Sequence, residues 1–279
     1  MISLPHPSLQ TPKTPSLAYL PRLLVLANLP HRKPEGGHFT RVNGAYRLTL
    51  VGDPEWGLPY GATSRLLLAW ICTRAVQTRS PRIVLGKSQA AWLRLFARSS
   101  TGGSNGSRTY AKDHLMRLAS TTLRVSWKDE EMVCLGGFCL VGKMVLWKGS
   151  AGGDEGKDSL AHIELSAALF EELLLHPVPL LVAALAALRR SPLALDIYAW
   201  LTHRFFTLSK PTRILWPALQ RQFGADYARR VDFRKAFRRH LHSVLKVYPS
   251  ARVMDKGKEG LLLLPSPPHV LPKEGGEGL

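Results

Sequence analysis

Asp232-Phe-Arg-Lys-Ala-Phe-Arg-Arg-His-Leu-His-Ser-Val-Leu-Lys-Val-Tyr-Pro249 is the stretch on which the fold turns. Phe233, Phe237, Leu241, Val244 and Tyr248 recur at spacings of three and four, which predicts a helix with one buried stripe. Asp232 is expected to cap that helix through its carboxylate, and Pro249 to stop it. Arg234, Lys235, Arg238, Arg239 and His242 fall on the other face. A short strand, a Lys/Gly turn carrying Lys256 and Lys258, and the leucines Leu261 to Leu264 follow. A helix buried on one side and basic on the other, followed by a two-stranded wing, has the shape of a DNA recognition helix. A plain solvated helix is the alternative. It would be expected to carry carboxylates paired with its cations four residues apart, and this face has almost none.

The composition fits that reading. The 279 residues carry a formal charge of +18, from 38 Lys and Arg against 20 Asp and Glu. So strong an excess implies a polyanionic partner. Nucleic acid is favoured over membrane, because no apolar run approaches the roughly 20 residues of a spanning helix. Leu23-Leu-Val-Leu26 is too short and too proline-flanked to predict a signal peptide. Cys72, Cys134 and Cys139 have no metal spacing and are expected to be reduced, mostly buried thiols in a cytosolic protein.

Two breaks divide the chain. Residues 1–42 are rich in Pro, Ser and cations without periodicity and predict a disordered arm, with one short docking segment around Ala18 to Ala27. Gly149-Ser-Ala-Gly-Gly-Asp-Glu-Gly156 has linker composition. The pieces on either side resemble each other. Ala69-Trp-Ile-Cys-Thr-Arg74 matches Ala199-Trp-Leu-Thr-His-Arg204. Each match is followed by a proline-containing extended stretch, a second tryptophan (Trp92, Trp216), a Gly-containing turn, a helix and a hairpin. The predicted helices are Ser107 to Leu118 and Asp232 to Leu245. The expected fold class is α+β, with tandem winged-helix domains at 43–156 and 157–270, a disordered N-terminal arm and a flexible tail at 271–279. The apolar run Leu180 to Leu188 predicts a buried helix.

In the first domain Thr101-Gly-Gly-Ser-Asn-Gly106 leads into a helix start, where backbone amides favour a phosphate. Ser107, Arg108 and Lys112 are placed at the front of that helix and Arg117 near its end. Arg124 and Lys128 are placed on the wing as backbone contacts. In the second domain Arg229, Arg230 and Arg252 flank the helix and wing. Arg234 and Arg238 are the expected base readers, and Lys256 and Lys258 add salt-dependent affinity.

Three enzymatic readings fail on spacing. Gly86-Lys-Ser88 lacks the P-loop glycine, because Pro81 stands in its place. His240-Leu-His242 resembles a nickase metal motif with Tyr248 as nucleophile. On a helix, however, two residues two apart diverge by roughly 200°. The acids Asp129, Glu130, Glu131, Asp154, Glu155 and Asp158 lack the framing of a two-metal site. No cofactor, metal or catalytic residue is predicted.

Several longer strings carry a family resemblance. They are Gly57-Leu-Pro-Tyr-Gly61 with Arg65-Leu-Leu-Leu-Ala-Trp70, His176-Pro-Val-Pro179, Arg190-Ser-Pro-Leu-Ala-Leu-Asp-Ile-Tyr-Ala-Trp-Leu-Thr202, Gln222-Phe-Gly-Ala-Asp-Tyr-Ala228 and Pro265-Ser-Pro-Pro-His269. Together they resemble the RepA-type plasmid replication initiators of bacteria over about residues 55–270. The resemblance implies a protein that binds repeated double-stranded sites (iterons) at a plasmid origin, helps melt it and helps load the host initiator and helicase. It also implies self-association and repression of the protein's own promoter. It makes Asp232 to Leu245 the second recognition helix. The first departs from the family pattern at Tyr110, where a cation is usual, and at His114, where an amide is usual. A plain winged-helix repressor is the alternative.

Overall fold

The computed structural model describes residues 16–86, 88, 92, 107–128, 132–146, 161–224 and 227–271. Mixed α and β elements surround one continuous core. At its centre lie two helices, α2 (Gly61–Thr78) and α6 (Pro192–Thr207), which pack on each other. These are the two helices of the Ala-Trp repeat. Both are apolar around most of their circumference, which is why both are buried. Ser191 caps α6 by accepting from the amide of Ala194 (3.1 Å), and Pro192 occupies the first turn.

Residues 16–43 are ordered, so the disordered arm does not extend over them. β1 (Leu17–Pro21) pairs antiparallel with β9 (Pro177–Leu181), which is the His176-Pro-Val-Pro179 string. α1 (Arg22–Leu26) follows, and Leu23, Leu24 and Val25 are buried. The expected docking segment is thus an edge strand and a turn of helix, and its prolines sit where a strand tolerates them. Residues 1–15 lie outside the described residues. The Leu180 to Leu188 run is split: Leu180 and Leu181 end β9, and α5 (Val182–Leu188) begins after them.

In the N-terminal half, β2 (His38–Asn43), β3 (Tyr46–Val51), β5 (Thr122–Lys128) and β6 (Val133–Cys139) form an antiparallel sheet in the order β2-β3-β5-β6. A second sheet has the order β4-β8-β7, from β4 (Arg82–Gly86), β8 (Ala161–Leu165) and β7 (Val141–Val145). α3 (Ser107–Ala119) packs against α2. In the C-terminal half, β10 (Thr212–Leu215), α7 (Trp216–Phe223), α8 (Arg230–Val247), β11 (Val253–Asp255) and β12 (Gly260–Leu263) follow in turn, with sheet order β10-β12-β11. α4 (Ala167–Leu175), capped by Ser166, sits beside β1 and α2.

The boundary at residue 157 does not separate two independent sheets. β8 lies past it and pairs back with β4 and β7, and β1 crosses to β9. The Gly149 to Gly156 linker lies outside the described residues.

Candidate nucleic-acid interface

α8 begins at Arg230, two residues earlier than the spacing of acids suggested. Its N-cap, Arg229, makes no side-chain cap bond. Asp232 is therefore not the cap but a first-turn residue. Its carboxylate accepts two bonds from the Arg229 guanidinium (2.7 and 3.0 Å), which hold it below the usual carboxylate range. A negative charge there also suits the positive end of the helix dipole.

The buried stripe is as the spacing requires. Phe233, Phe237, Val244 and Tyr248 have no exposed surface, and Leu241 is nearly closed. Phe233 and Phe237 pack edge-on against Trp216 at 6.3 and 5.8 Å between ring centroids. Trp70, Trp92, Trp200 and Trp216 are all core residues, as their apolar settings imply. Gly224 allows this packing, because a Cβ there would stand 2.9 Å from the Phe233 ring.

The basic face is sorted by what each cation already holds. Arg238 is engaged. Its guanidinium donates to both Asp255 oxygens (2.6 and 3.1 Å) and to the Gly257 carbonyl (2.6 Å), and lies 5.0 Å over the Trp216 ring. Trp216 Nε1 donates to the same Gly257 carbonyl (2.9 Å). Arg238 and Trp216 therefore tie the turn of the wing to the helix. Arg238, expected as a base reader, is thus engaged by a carboxylate and positions the wing. Asp255, bonded this way, is held below the usual carboxylate range. Gly260 lets β12 close on β10, because a Cβ there would collide with the Ile214 carbonyl oxygen.

The solvent-facing stripe consists of Lys235, Arg239, His242 and Lys246, all exposed. Their spacings of four, three and four place them along one line of the helix. Lys246 escaped the sequence reading, although its spacing continues the series. Arg234 flanks the stripe half-buried, and its Nε is buried without a hydrogen-bond partner among the described residues. Lys256 and Lys258 are exposed at the wing tip, and Arg252 is exposed at the base of the wing. Arg229 and Arg230 are exposed, but Arg229 is bound to Asp232 and Arg230 to the Gln220 side-chain oxygen (3.2 Å).

In the N-terminal half the candidate cations do not converge on a helix. Lys112 is exposed on α3, but Arg117 leans over the Tyr60 ring at 5.5 Å and closes the Gly57 to Gly61 turn. A Cβ on Gly57, whose φ is +71°, would come within 3.0 Å of Arg117 Nη1. His114 is buried between Tyr60 and Tyr110 and bonds the Ser64 hydroxyl (2.8 Å). Burial, helped by Arg117, lowers its pKa to about 4. It is a core residue rather than a DNA reader. Arg124 and Lys128 are exposed on one face of the four-stranded sheet, and the strand register places Arg47 on that face too. The Thr101 to Gly106 loop and the side chains of Ser107 and Arg108 lie outside the described residues, as do Asp129 to Glu131 and Asp154 to Asp158.

His240 and Tyr248 of the nickase-like motif make structural contacts. His240 and His242 stand on α8, and the His240 ring bonds the Ser191 hydroxyl (3.1 Å). Tyr248 is sealed in the core and donates to the Pro267 carbonyl (2.7 Å), and burial raises its pKa. His269 stacks on it at 4.2 Å and bonds Tyr198, so the Pro265 to His269 string is a strap over α6 and α8. Among the described residues no group of His, Cys, Asp and Glu could hold a metal ion, and no helix is long and apolar enough to cross a membrane.

Sequence reasoning missed one polar centre. Arg65 on α2 grips Asp196 on α6 through Nε and Nη2, both at 2.6 Å, and donates to the Leu29, Pro30 and Gly61 carbonyls. His31 adds a 2.8 Å contact to the same carboxylate. Burial pushes the Asp196 carboxyl up, but Arg65 and His31 outweigh it and hold it below the usual range. The available signal was a single acid in the apolar stretch Pro192 to Trp200. Residues 65–72 and Ala75 of α2 are consequently buried.

Comparison with known proteins agrees with this architecture. A crystal structure of domains 2 and 3 of RctB superposes with a TM-score of 0.57 at 15% identity, covering 90% of this chain and 99% of that one. A second RctB domain 2–3 crystal structure gives 0.49 at 14%, covering 86% and 94%. No curated protein sequence matches the chain. The family profile described as plasmid encoded RepA protein matches residues 58–215. That span is more than half of the 279 residues and contains the Gly57 to Gly61 turn from Leu58 on, both repeated helices and the Arg65–Asp196 pair. The chain belongs to the plasmid-encoded RepA family of replication initiators.

Proposed function

We propose that the protein initiates plasmid replication as a sequence-specific binder of repeated double-stranded DNA sites, without catalysing a reaction itself. It is built as two winged-helix units in tandem. α8 enters the major groove with Arg234, Lys235, Arg239, His242 and Lys246 toward the DNA, and the β11–β12 wing lies along the backbone. The observation that carries this reading is the exposed stripe on a helix whose opposite face is sealed and whose wing is pinned by Arg238. Arg234 is the preferred base reader, because it stands near the front of α8 and, unlike Arg238, holds no carboxylate among the described residues. Lys256 and Lys258 supply salt-dependent affinity. Arg124, Lys128 and Arg47 offer a second cationic face to phosphates. Self-association, repression of its own promoter, and recruitment of host initiator and helicase in the bacterial cytoplasm complete the role.

The test is an anisotropy titration on the repeated DNA upstream of the protein's own gene, beside random duplex, at two salt concentrations. A preference of about a thousandfold that persists at the higher salt is expected. Arg234→Ala should remove roughly tenfold or more of that preference. Equal, salt-labile binding to both duplexes overturns the reading.

A further inference from the structure

Cys134 and Cys139, expected to be buried, are exposed on β6. Five residues apart on a strand, they face opposite sides of the sheet. Cys134 lines a cleft of about 670 Å³ between the sheet β2-β3-β5-β6 and the helices α1, α4 and α6. One end of this sheet face is sealed, where Leu48, Leu50 and Leu123 are buried. The other end parts from the helices. There Tyr46, Trp127 and Cys134 stand side by side in the strand register, and Trp127 is 55% exposed. Gly136 forms part of the floor. A Cβ on it would meet no atom within 4 Å, and its φ lies outside the left-handed region, so neither crowding nor backbone requires glycine. A glycine inside a strand weakens it, and marks places where a ligand comes close to the backbone.

Polar groups gather on one wall of the cleft. Arg22 and Glu172 form a loose ion pair of 3.6 Å, a separation too long for a hydrogen bond. The Tyr46 hydroxyl donates to the Leu23 carbonyl (3.4 Å) and feels both charges: burial and Glu172 raise its pKa, and Arg22 opposes them. His203 lies in reach of Arg22 as well. Burial first, then Arg22 and Arg204, lower its pKa, so the ring is neutral at physiological pH. The wall thus offers one cation and one carboxylate beside an apolar slot of Leu26, Val125, Phe138 and Trp127. A lone anion would be drawn by Arg22 and repelled by Glu172, and a lone cation the reverse. A head that carries both charges satisfies both residues. We infer that the cleft binds a small aromatic molecule with a zwitterionic head, in its simplest form an aromatic amino acid. The ring would lie over Gly136 against Trp127 and Phe138, with the carboxylate on Arg22 and the ammonium on Glu172. The volume is that of ordinary small-molecule sites. The inference is independent of the DNA-binding reading, because it needs no nucleic acid.

Thiol labelling of the full-length protein tests it without DNA. The rate of N-ethylmaleimide addition is followed at Cys134, inside the cleft, and at Cys139, on the far side of the sheet, as an internal control. The probes share one ring and differ in the head: L-tryptophan, tryptamine and indolepropionate. L-Tryptophan should slow labelling of Cys134 and leave Cys139 unchanged. Half-protection should need about tenfold less of it than of either singly charged indole, the worth of one further charge-assisted hydrogen bond. Glu172→Gln should erase its advantage over indolepropionate. Gly136→Val fills the floor and should abolish protection, while circular dichroism and melting stay as in wild type, since the added atoms enter open space. Trp127→Ala, at an exposed side chain, should weaken protection without unfolding the sheet. Labelling of Cys134 that none of the three slows overturns the inference. So does equal slowing of Cys139. Equal protection by all three also overturns it, since the cleft is then an apolar groove for any aromatic group, a partner protein's side chain included. Protection that survives Gly136→Val places the ligand elsewhere and overturns it too.

Discussion

In the C-terminal half, β10, β11 and β12 pair only with one another among the described residues, and the hairpin turn is bonded back to α8. In the N-terminal half one sheet repeats the β10-β12-β11 order and a second sheet is added. β8 sits between β4 and β7, and the β5–β6 hairpin extends a sheet begun by β2 and β3. The three-stranded pairing therefore recurs, and the added β2-β3-β5-β6 sheet is what sets the halves apart. The C-terminal strands are only three or four residues long and present little edge. The N-terminal sheet is larger, and β6 is its outer strand among the described residues. One half fixes a helix and wing rigidly; the other offers a surface.

The contact between the halves gives the sharpest way to break this comparison. Asp196→Asn leaves Arg65 buried without its carboxylate and should cost about 3–5 kcal/mol. Urea unfolding followed by tryptophan fluorescence and by circular dichroism should then give two separated transitions in place of coincident ones. Coincident curves in the variant would mean that apolar packing between α2 and α6 suffices to couple the halves.

A second test concerns the N-terminal half. The folded pKa of His114, about 4, lies below its ordinary 6.5. Its contribution is therefore complete above about pH 6.5 and is lost as pH falls toward 4, by on the order of 2–3 kcal/mol. His114→Gln should flatten the dependence of stability on pH in that window. His203, His240 and His269 are moved the same way by burial, so some slope remains. An unchanged slope in denaturation curves at pH 7.5, 5.5 and 4.5 would remove His114 from that role.

The smallest expected effect concerns the wing. Asp255→Ala frees Arg238 and unpins the turn. Preference for repeated over random duplex should fall about tenfold, while binding to random duplex holds or rises with the added positive charge. Equal loss on both would mean that the wing contributes affinity alone.

The element order of the C-terminal half was legible because periodicity, proline and glycine there act locally. The stripe Phe233 to Tyr248, the wing and the core tryptophans all follow from spacing. Long-range pairing was not legible. Nothing near Leu17 announces Leu181 as its partner, and proline-rich composition reads as disorder when the strand that orders it lies far along the chain. Arg238 shows the same limit within the site. Its place on the basic face was readable, but its occupation by Asp255 depends on how the wing folds back. Exposed cysteines were missed for a related reason, since a rule about typical burial says nothing about which strand ends a sheet.

The β1–β9 ladder has a consequence for how the chain is made. β9, the partner of β1, is synthesised roughly ten to thirty seconds after it at ordinary rates of synthesis. Until then β1 has no strand to pair with and α2 lacks α6, so apolar surface of α2 is open in the nascent chain. The N-terminal half is thus the first to be translated and cannot be the first to close. A fragment ending near residue 156 would carry the same unsatisfied surfaces permanently.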